Sequence, residues 1–463
     1  MERTYIADTK NKIGEAVQIS GWVSVRRDHG KLIFLDIRDR SGIVQVVFSP
    51  KTNGYKLAQK FRSEWVLSIT GLVQSRPEAM VNKETETGEI EIVPESVEVL
   101  SEAKTSPIPL DTDGYEIDEE TRMKYRYLDL RRSRLQKNIK LRSEFVDKVR
   151  QFLFKKGFLE IETPILSKTT PEGSRDFVVP SRLQAGKFYA LPQSPQQYKQ
   201  LLMVAGFEKY FQIARCFRDE DLRADRGFEH TQVDMEVSFL NQEEFMALDE
   251  KMITYVVESM GYKIKEKPFP VFTYNEAIEK FGADKFDLRT EEDKKNGVLA
   301  YAWVKDFPFF EKDKEGRWTF THNPFSMPKS EHTEWVLKGK NIKEILTSQY
   351  DLVCNGVEVG GGSIRAHKPE ILRATFKIMG YSDEEIEKDF GHILEAFSYG
   401  VPPHGGIAHG VERNLMTLLR EEYLREVAAF PQTSSGKTSV MDAPSELSKE
   451  QLAELNLKID EKK

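Results

Sequence analysis

The sequence predicts an α+β protein in two parts, a small all-β domain followed by a larger mixed domain. In residues 16–100, short runs that alternate apolar and polar residues are separated by turn residues, which is typical of strands. The remainder mixes β-rich stretches with helical periodicity. With 463 residues, 39% hydrophobic and 31% charged, the chain can bury at least one sizeable core. A peptide hormone, a disulfide-rich miniprotein and a membrane-spanning protein are excluded.

The first domain is predicted from five strand-like runs between Ala16 and Leu100. They are AVQISGWVSV, KLIFLDIRD, IVQVVFS, WVLSITGLVQS and EIEIVPESVEVL. Five strands within about ninety residues are typical of a small closed barrel of the OB type. We therefore expect a five-stranded OB-fold β-barrel at the N-terminus.

A basic segment lies within this barrel. Residues 26–62 hold nine Lys and Arg side chains against three Asp, a balance that can contact a phosphate backbone. Phe34 and Gln45 lie in the predicted strands and are candidates for a base-stacking platform and a base-edge hydrogen bond. An alternative that fits the sequence equally well is that Phe34 packs in the barrel core and Gln45 is a solvated surface residue.

The next stretch, SPIPLDTDGYEID, lacks periodicity and is rich in Pro, Asp and Gly, which indicates a linker. Apolar residues at helical spacing from Leu135 to Leu153 then predict a long helix that ends at Gly157. Its basic flank is interpreted as a solvated face. We place the domains at 1–103 and 134–463, with a linker or hinge at 104–133. Further helices are expected over 242–260, 368–379 and 383–397.

The cysteine content and the N-terminal sequence indicate the cellular compartment of the protein. The two cysteines, Cys216 and Cys354, are far apart and support neither a disulfide framework nor a cysteine zinc site. The opening MERTYIADTKNKIGEA carries charges where a signal peptide needs an apolar core. We expect a cytoplasmic protein. The net charge of −7 gives no global attraction to nucleic acid, but it averages over local patches.

The most informative stretch is residues 207–239, two alternating strands joined by a charged loop. Period-two geometry places Gln232, Asp234 and Glu236 on one face, which is too polar for a plain core and therefore lines a polar site or water. Arg218 ends the first strand and is a candidate for binding an anion there. Its alternative is an exposed charge.

A second constellation is YDLVCNGVEVGGGSIR, residues 350–365. Asn355-Gly356 predicts a two-residue hairpin turn, so Asp351 would pair with Gly360 and share a face with Glu358. Two carboxylates on one face could hold Mg²⁺ that bridges substrate phosphates, or could form an ordinary surface ion pair. The glycines at 360–362 would let a ligand approach, and Arg365 offers a fork for a carboxylate.

A third constellation is the small-residue strand GGIAHGVERNLMTLL, which runs into a helix through Glu412 and Arg413. Small residues would let a flat ring approach, with Arg413 stacked on its face. By itself this signal is weak, because glycine-rich strand-to-helix turns are common.

Together these motifs resemble a known family. FRDE in the strand-loop-strand, GxxxGxER ahead of the helix and GFLEIETP ending at Pro164 are similar to the three signature motifs of class II aminoacyl-tRNA synthetases. SPQQYKQ, TPEGSRDF and GGGSIR further resemble the aspartyl-tRNA synthetases, over essentially the whole chain. The resemblance implies an OB anticodon-binding domain and a catalytic domain built on an antiparallel sheet flanked by helices.

The resemblance also implies an activity. L-aspartate would be activated by ATP to aspartyl-adenylate and transferred to the 3′ end of tRNA(Asp), either alone or together with tRNA(Asn). Mg²⁺ would assist, a homodimer is expected, and no protein nucleophile is needed because the aspartate α-carboxylate attacks the α-phosphorus.

By the same resemblance, site residues can be assigned. The catalytic residues would be Arg218, Glu358 and Arg413. Aspartate would be bound by Glu172, Ser194, Gln196, Lys199, Arg218, Asp234, His322 and Arg365. ATP would be bound by Arg218, Asp219, Glu220, His230, Glu358, Gly410, Val411, Glu412 and Arg413. The metal would be held by Asp351 and Glu358, and the anticodon contacted by Arg27, Phe34 and Gln45.

Three departures from the family pattern are visible. The inserted domain of about a hundred residues that is usual in bacterial members is absent, since only TEEDKKNG separates Arg289 from the next strand. Asn323 follows His322 where the family often has a His pair. Gly227 and Phe228 replace a frequent Gln-Pro pair, which removes a side chain that can contact ATP.

Other functions remain open. An asparaginyl- or lysyl-tRNA synthetase would share the fold, but two cations, Lys199 and Arg365, suit a carboxylate better than an amide or an ammonium group. A non-catalytic tRNA-binding relative, or an enzyme that makes a small amide from aspartyl-adenylate, is a further alternative. His29 hints at relaxed tRNA choice, because in the family a His in this loop tends to accompany it.

Overall fold

The computed structural model describes residues 2–169 and 173–460. The chain divides into two compact units, Met1–Thr112 and Asp113–Lys463. The three-part division expected from the sequence, at 1–103, 104–133 and 134–463, stays a prediction.

The first unit is a closed barrel with the strand order β1-β2-β3-β5-β4, as the sequence predicts. Alternation in each strand places one face inside, where Ile19, Leu35, Val46 and Ile69 are fully buried. A short helix, α1, covers part of this core. The elements of this unit are β1 (Ala16–His29), β2 (Leu32–Arg38), β3 (Ile43–Phe48), α1 (Tyr55–Ala58), β4 (Val66–Ser75) and β5 (Ile90–Ser101).

The second unit is built on an eight-stranded sheet flanked by helices. Its helices are α2 (Glu119–Lys124), α3 (Arg126–Asp129), α4 (Ser133–Lys155), α5 (Gln196–Val204), α6 (Gln242–Ser259), α7 (Tyr274–Phe281), α8 (Glu291–Asn296), α9 (Thr333–Lys338), α10 (Pro369–Ile378), α11 (Asp383–Ser398), α12 (Val411–Leu419) and α13 (Lys449–Glu454). Its strands are β6 (Leu159–Glu160), β7 (Val178–Pro180), β8 (Phe188–Ala190), β9 (Lys209–Phe217), β10 (Glu229–Ser238), β11 (Val271–Thr273), β12 (Tyr301–Lys305), β13 (Phe310–Lys312), β14 (Trp318–Phe320), β15 (Gln349–Cys354), β16 (Val357–Ile364) and β17 (His404–Gly410).

The large sheet has the order β11-β12-β15-β16-β17-β10-β9-β6. The six central strands are antiparallel, as expected. Each edge strand, β11 and β6, instead pairs in parallel with its neighbour. The fold is therefore the predicted α+β class, with a mixed rather than a purely antiparallel sheet.

The two faces of the sheet differ in polarity because β10 alternates strictly. Val233, Met235 and Val237 lie in the main hydrophobic core, together with residues of α4 and α6. Gln232, Asp234 and Glu236 alternate with them and are also buried. The predicted polar face is thus confirmed, and its charged side chains have to be satisfied inside the protein.

The predicted helices form close to their expected bounds. α4 begins at Ser133 and is followed by Gly157, whose φ of +78° suits glycine at a helix end. α6 begins with a capping box in which Asn241 and Glu244 satisfy each other's backbone N–H groups. Among the described residues, no helix is long and apolar enough to cross a membrane.

Residues 113–133 belong to the second unit and contain α2 and α3. Here the Asp129 carboxylate is fully buried and contacts three arginines. Its distances are 3.1 Å to Arg122 Nη2, 2.6 Å to Arg126 Nη1 and 2.6 Å to Arg132 Nε. Although burial raises the pKa of Asp129, the arginines outweigh it and lower that pKa. Arg122 also pairs with Glu426, which lies beyond α12.

We predict that Asp129→Ala destabilises the protein strongly, because it leaves buried arginines without their shared counter-charge. The free energy of unfolding should fall by about 3–5 kcal/mol, measured by urea denaturation. Asp147→Ala, at an exposed position on α4, is the control and should change stability little. Equal effects of the two substitutions would show that the buried cluster does not stabilise this unit.

Candidate active site

A cavity of about 440 Å³ opens on the polar side of the sheet. Strands β10, β15, β16 and β17 contribute to its lining, together with α5 and the loop 218–228. The structure brings most of the residues assigned from the sequence into its lining. These are Ser194, Gln196, Lys199, Arg218, Glu220, His230, Asp234, His322, Asp351, Glu358, Arg365, Gly410, Glu412 and Arg413.

Four buried charged side chains form a linked cluster beside this cavity. Lys199 Nζ lies 2.8 Å from Asp234 Oδ2 and 3.2 Å from Glu236 Oε2. Arg365 approaches Glu236 with two nitrogens, Nε at 2.8 Å and Nη2 at 3.1 Å. We call Lys199, Asp234, Glu236 and Arg365 the charged quartet. Its two positive and two negative charges balance, which is required at such burial.

The quartet determines the charge states of its acids. Burial raises the pKa of Glu236, but Arg365 and Lys199 outweigh it and lower that pKa to about 2. For Asp234 burial is the larger effect, and the pKa is raised. Asp234 Oδ1 is buried and accepts no hydrogen bond from the part of the chain that the structure describes. The pKa of the Tyr210 phenol is raised by burial and by the Asp234 carboxylate, but its hydroxyl donates to Gln212 Oε1 at 2.8 Å.

The environment of Arg365 differs from the sequence-based expectation of a free fork. Glu236 occupies two of its nitrogens, Ser363 Oγ accepts from Nη1 at 2.8 Å, and the Gly406 carbonyl accepts from Nη2 at 3.2 Å. A Cβ at Gly406 would lie 2.0 Å from Glu236 Oε2, so glycine makes room for this carboxylate. Sequence reasoning left Glu236 without a role, although its alternation with Asp234 indicates the same face.

The opposite end of the cavity is rich in arginine. Arg218 Nε is buried and donates to none of the described residues. Arg413 Nη2 lies 3.2 Å from Asp225 Oδ2 in the loop 218–228. Burial, with the charges of Arg218 and Arg413, lowers the pKa of His230 to about 3, so its imidazole is neutral at pH 7. This end can accept a polyanion next to a neutral aromatic ring.

The hairpin turn at Asn355-Gly356 is confirmed, with φ of +54° and +89°. Asp351, however, pairs with Gly361 and not with Gly360, because a β-bulge shifts the register between Leu352 and Val353. The two carboxylates still meet. A Cβ at Gly361 would lie 3.1 Å from Asp351 Oδ1 and 3.5 Å from Glu358 Oε1. Gly361 alone of the three glycines faces them, since Cβ atoms at Gly360 and Gly362 would clash with His409 and Gly406.

These carboxylates already have partners in the protein. His322 Nε2 donates to Asp351 Oδ2 at 3.2 Å, and Gln349 Nε2 donates to Asp351 Oδ1 at 2.8 Å. Although burial opposes it, the Asp351 carboxylate raises the pKa of His322. Lys285 Nζ lies 2.8 Å from Glu358 Oε2 and was not identified from the sequence. Within 2–169 and 173–460, no group of three or more His, Cys, Asp or Glu side chains forms a metal cluster.

Several assigned ATP residues have other surroundings. Val411 is in the hydrophobic core, and Asp219, which pairs with Arg175 at 3.4 Å, does not line the cavity. Glu412 lines it, yet its carboxylate accepts from Arg142 Nη2 at 2.8 Å and the Thr231 amide at 3.0 Å. Glu220 lies 2.7 Å from Arg226 Nη1. Of these contacts, the Glu220–Arg226 pair lies within the loop 218–228, and Glu412 links α12 to α4 and β10. The assignment of these residues to ATP stays a prediction.

The remaining assigned residues are placed as follows. Ser194 Oγ accepts from the Gln196 amide at 3.3 Å at the start of α5, beside Lys199. Asn323 lines the cavity, and its Oδ1 caps the Phe325 amide at 3.0 Å. A Cβ at Gly227 would be in ordinary van der Waals contact with the Glu229 carbonyl at 3.4 Å and with Leu424 at 3.7 Å, so it fits at this position without a clash. Glu172 lies outside the described residues.

In the first unit, the three anticodon candidates share the outer surface of the barrel. Arg27 pairs across the strands with Phe34, and Asp36 with Gln45. Arg27 Nη2 lies 2.8 Å from Asp36 Oδ1 and 3.4 Å from Gln45 Oε1. Phe34 is half-buried on this surface and is not part of the barrel core.

The basic segment of the barrel is less uniform than its composition suggests. Arg26 contacts Asp28 at 2.8 Å, and Arg38 contacts Glu64 at 2.9 Å. Those two charges are compensated locally. A nucleic acid would therefore meet fewer free cations on this segment than a count over residues 26–62 suggests.

Comparisons with known proteins agree with this architecture. Residues 118–434 match the family of class II tRNA synthetases (D, K and N), and residues 17–100 match the OB-fold nucleic acid binding domain. The aspartate–tRNA(Asp/Asn) ligase of Syntrophomonas wolfei is 40% identical over 589 aligned positions that cover 100% of each chain. The aspartate–tRNA ligase of Bacillus licheniformis is 39% identical, with 99% of each chain covered.

Solved structures share the fold. The asparaginyl-tRNA synthetase of Pyrococcus horikoshii, complexed with asparaginyl-adenylate, gives a TM-score of 0.75 at 24% identity and covers 94% of this chain and 98% of its own. The aspartyl-tRNA synthetase of Entamoeba histolytica gives a TM-score of 0.74 at 22% identity and covers 93% of this chain and 91% of its own.

The chain belongs to the class II tRNA synthetases of the D, K and N group, so the resemblance inferred from its motifs is confirmed. It is a ligase that forms an aminoacyl-tRNA. The 589 positions aligned with the Syntrophomonas wolfei enzyme exceed the 463 residues of this chain by about 126. Residues of that relative are therefore missing here, in agreement with the missing inserted domain.

We predict that the His230 imidazole stays neutral from pH 8 to about 5, since its pKa is lowered to about 3. An unfolded histidine titrates near pH 6.5, so this group makes the free energy of unfolding fall as the pH drops below about 6.5. NMR of ¹⁵N-histidine-labelled protein, with the signal assigned through His230→Gln, measures the titration. The chain unfolded in urea is the control. A midpoint near 6.5 in the folded protein would contradict the described burial.

Proposed function

We propose that the protein is an aspartate–tRNA ligase that activates L-aspartate with ATP and transfers it to tRNA(Asp), and to tRNA(Asn) as well. The observation that carries this proposal is the charged quartet, with two cations and one unpaired carboxylate oxygen beside a cavity that has arginines at its other end. The names of the relatives, which include Asp/Asn ligases, support both tRNAs.

Aspartate matches the quartet group by group. Lys199 and Arg365 each keep one N–H that no described residue accepts, and these two donors suit the side-chain carboxylate. The unpaired Asp234 Oδ1 suits the ammonium group. A lysine side chain would be repelled by the two cations, and an asparagine amide would direct its N–H groups toward them. Ser194, Gln196 and His322 complete the pocket.

ATP fits the arginine-rich end. Arg218 would bind the α-phosphate, while His230 and Arg413 would lie on the two faces of the adenine. The aspartate α-carboxylate then attacks the α-phosphorus, pyrophosphate leaves, and the tRNA 3′-terminal hydroxyl attacks the aspartyl-adenylate. The protein contributes position and charge neutralisation, since no nucleophilic side chain is required.

Asp351 and Glu358 would hold Mg²⁺, and their convergence around Gly361 fits a metal bound by carboxylate oxygens. When bound, Mg²⁺ would neutralise phosphate charge. In the protein itself, His322 and Lys285 compensate the two carboxylates.

Recognition of tRNA would use the barrel surface around Phe34, where a base can stack next to Arg27 and Gln45. We also propose a cytoplasmic homodimer. Leu159, Ile165 and Leu166 flank the GFLEIETP motif and are 50%, 48% and 53% exposed, which suits a surface that a second copy covers.

Amino-acid-dependent ATP–pyrophosphate exchange tests the activity directly. Exchange should require aspartate and be negligible with asparagine or lysine, and charging of purified tRNA(Asp) and tRNA(Asn) should both proceed. Exchange with asparagine in place of aspartate would contradict the proposal. Charging of tRNA(Asp) alone would remove its tRNA(Asn) part.

We predict that Asp234→Asn lowers kcat/KM for aspartate by roughly thirty-fold or more, which is about 2–5 kcal/mol, because it removes the charge that meets the ammonium group. The exchange assay measures it. Asp147→Asn, at an exposed residue on α4 outside the cavity lining, is the matched control and should stay within about two-fold of wild type. An unchanged KM and kcat for aspartate in Asp234→Asn would remove this residue from the pocket.

We predict that Phe34→Leu raises KM for tRNA by roughly five-fold to a hundred-fold, since stacking on one base contributes about 1–3 kcal/mol. Phe34→Tyr keeps the ring and should restore most of the affinity. Aspartate-dependent exchange should be unchanged in both variants. If Leu and Tyr behave alike in tRNA charging, Phe34 is not a stacking platform.

A further inference from the structure

A lysine reaches the cavity from a segment to which the sequence assigns no function. Lys285 lies in the loop 282–290, between α7 and α8, and lines the cavity next to Glu358. Its ammonium group forms an ion pair with Glu358. Although burial opposes it, the nearby carboxylates of Glu358, Asp284 and Asp351 raise the pKa of Lys285. The side chain is 45% exposed, so a ligand in the cavity can reach its ammonium group.

The loop that carries Lys285 is anchored on both sides of this residue. Phe286 is buried and stacks on Phe281 at 4.0 Å between ring centroids. Arg289 forms a forked pair with Asp287, at 3.0 Å from Nε to Oδ1 and 2.8 Å from Nη2 to Oδ2. Asp287 also lies against Gly356 in the β15–β16 turn. These contacts hold the loop against the hairpin that carries Glu358, so the approach of Lys285 is built into the fold.

Lys285 lies where the phosphate groups of ATP would bind, beside Glu358 and Arg413, and apart from the charged quartet that would bind the amino acid. Glu358 Oε2 lies between Lys285 Nζ at 2.8 Å and Arg413 Nη1 at 3.8 Å. The charged quartet comes from other elements, α5, β10 and the residue after β16. The Lys285–Glu358 pair is partly exposed, at 45% for Lys285 and 25% for Glu358, so a ligand that enters the cavity can compete for the ammonium group. A phosphate chain with several charges attracts an ammonium group more strongly than one carboxylate does.

We propose that Lys285 is a ligand of the pyrophosphate that leaves when the adenylate forms, and that it exchanges Glu358 for phosphate oxygens. The inference rests on the proposed function. As the carboxylate oxygen bonds to the α-phosphorus, the bond from the α-phosphorus to the bridging oxygen breaks, and its electron pair leaves with pyrophosphate. Negative charge therefore builds up on the leaving group, where an ammonium group stabilises it.

Direct binding of inorganic pyrophosphate tests this role without catalysis. Calorimetry on the full-length protein in EDTA, with no metal and no aspartate, should show that Lys285→Met weakens binding by about tenfold or more. Lys285→Arg keeps the charge and should bind within about threefold of wild type. Lys294→Met is the control, because Lys294 pairs with Glu291 on α8 outside the cavity lining.

A second variant separates a phosphate ligand from a partner of Glu358. Glu358→Gln frees Lys285 and removes a charge that repels phosphate, so this variant should bind pyrophosphate more tightly than wild type. Adding Lys285→Met to Glu358→Gln should then lower the affinity for pyrophosphate by a larger factor than Lys285→Met does in the wild-type protein. The inference is overturned if Lys285→Met binds within about twofold of wild type, if Lys294→Met loses as much, or if wild type shows no binding. Absence of aspartate-dependent exchange in a wild type that binds pyrophosphate through Lys285 overturns the proposed function alone.

Discussion

The buried pairing of Lys199 and Arg365 with Asp234 and Glu236 is the constraint on which the active site depends. Buried charges are tolerated only when each meets an opposite charge, so the elements that carry them must converge. α5, β10 and the end of β16 supply the four side chains, and β17 admits them because Gly406 leaves room for the Glu236 carboxylate. The quartet thereby links α5 and β10 to the end of β16, and Asp234 Oδ1 accepts no hydrogen bond from the described residues.

The rest of the site follows from the sheet's two faces. Alternation in β10 buries Val233, Met235 and Val237 in the core and leaves its acids on the cavity side. The same sheet carries Asp351 and Glu358 on the neighbouring hairpin, and loops from both ends add Arg218 and Lys285. The amino-acid pocket and the arginine-rich end thus share a cavity, which is what adenylate formation needs, since both substrates must meet at the α-phosphorus.

Local patterns in the sequence predict much of this fold, and long-range contacts account for what they miss. The five barrel strands, α4, α6 and the Asn355-Gly356 turn follow from periodicity and turn chemistry. The bulge between Leu352 and Val353 does not, because the turn sets the register only until a residue is inserted. Nor could the pairing of Arg365 with Glu236, 129 positions apart, be read from either motif. Lys285 was missed because its loop has no motif, and only the fold brings it to Glu358.

Binding of two non-reactive adenylate analogues, one carrying aspartate and one carrying asparagine, tests most directly whether the quartet selects the amino acid. The analogues share every group at the ATP end and differ only where Lys199 and Arg365 meet the side chain. In calorimetry, the wild-type protein should bind the aspartyl analogue at least about a hundred-fold more tightly than the asparaginyl analogue, because the charge pair with the side chain is desolvated. Equal affinities, or a preference for the asparaginyl analogue, would contradict the account.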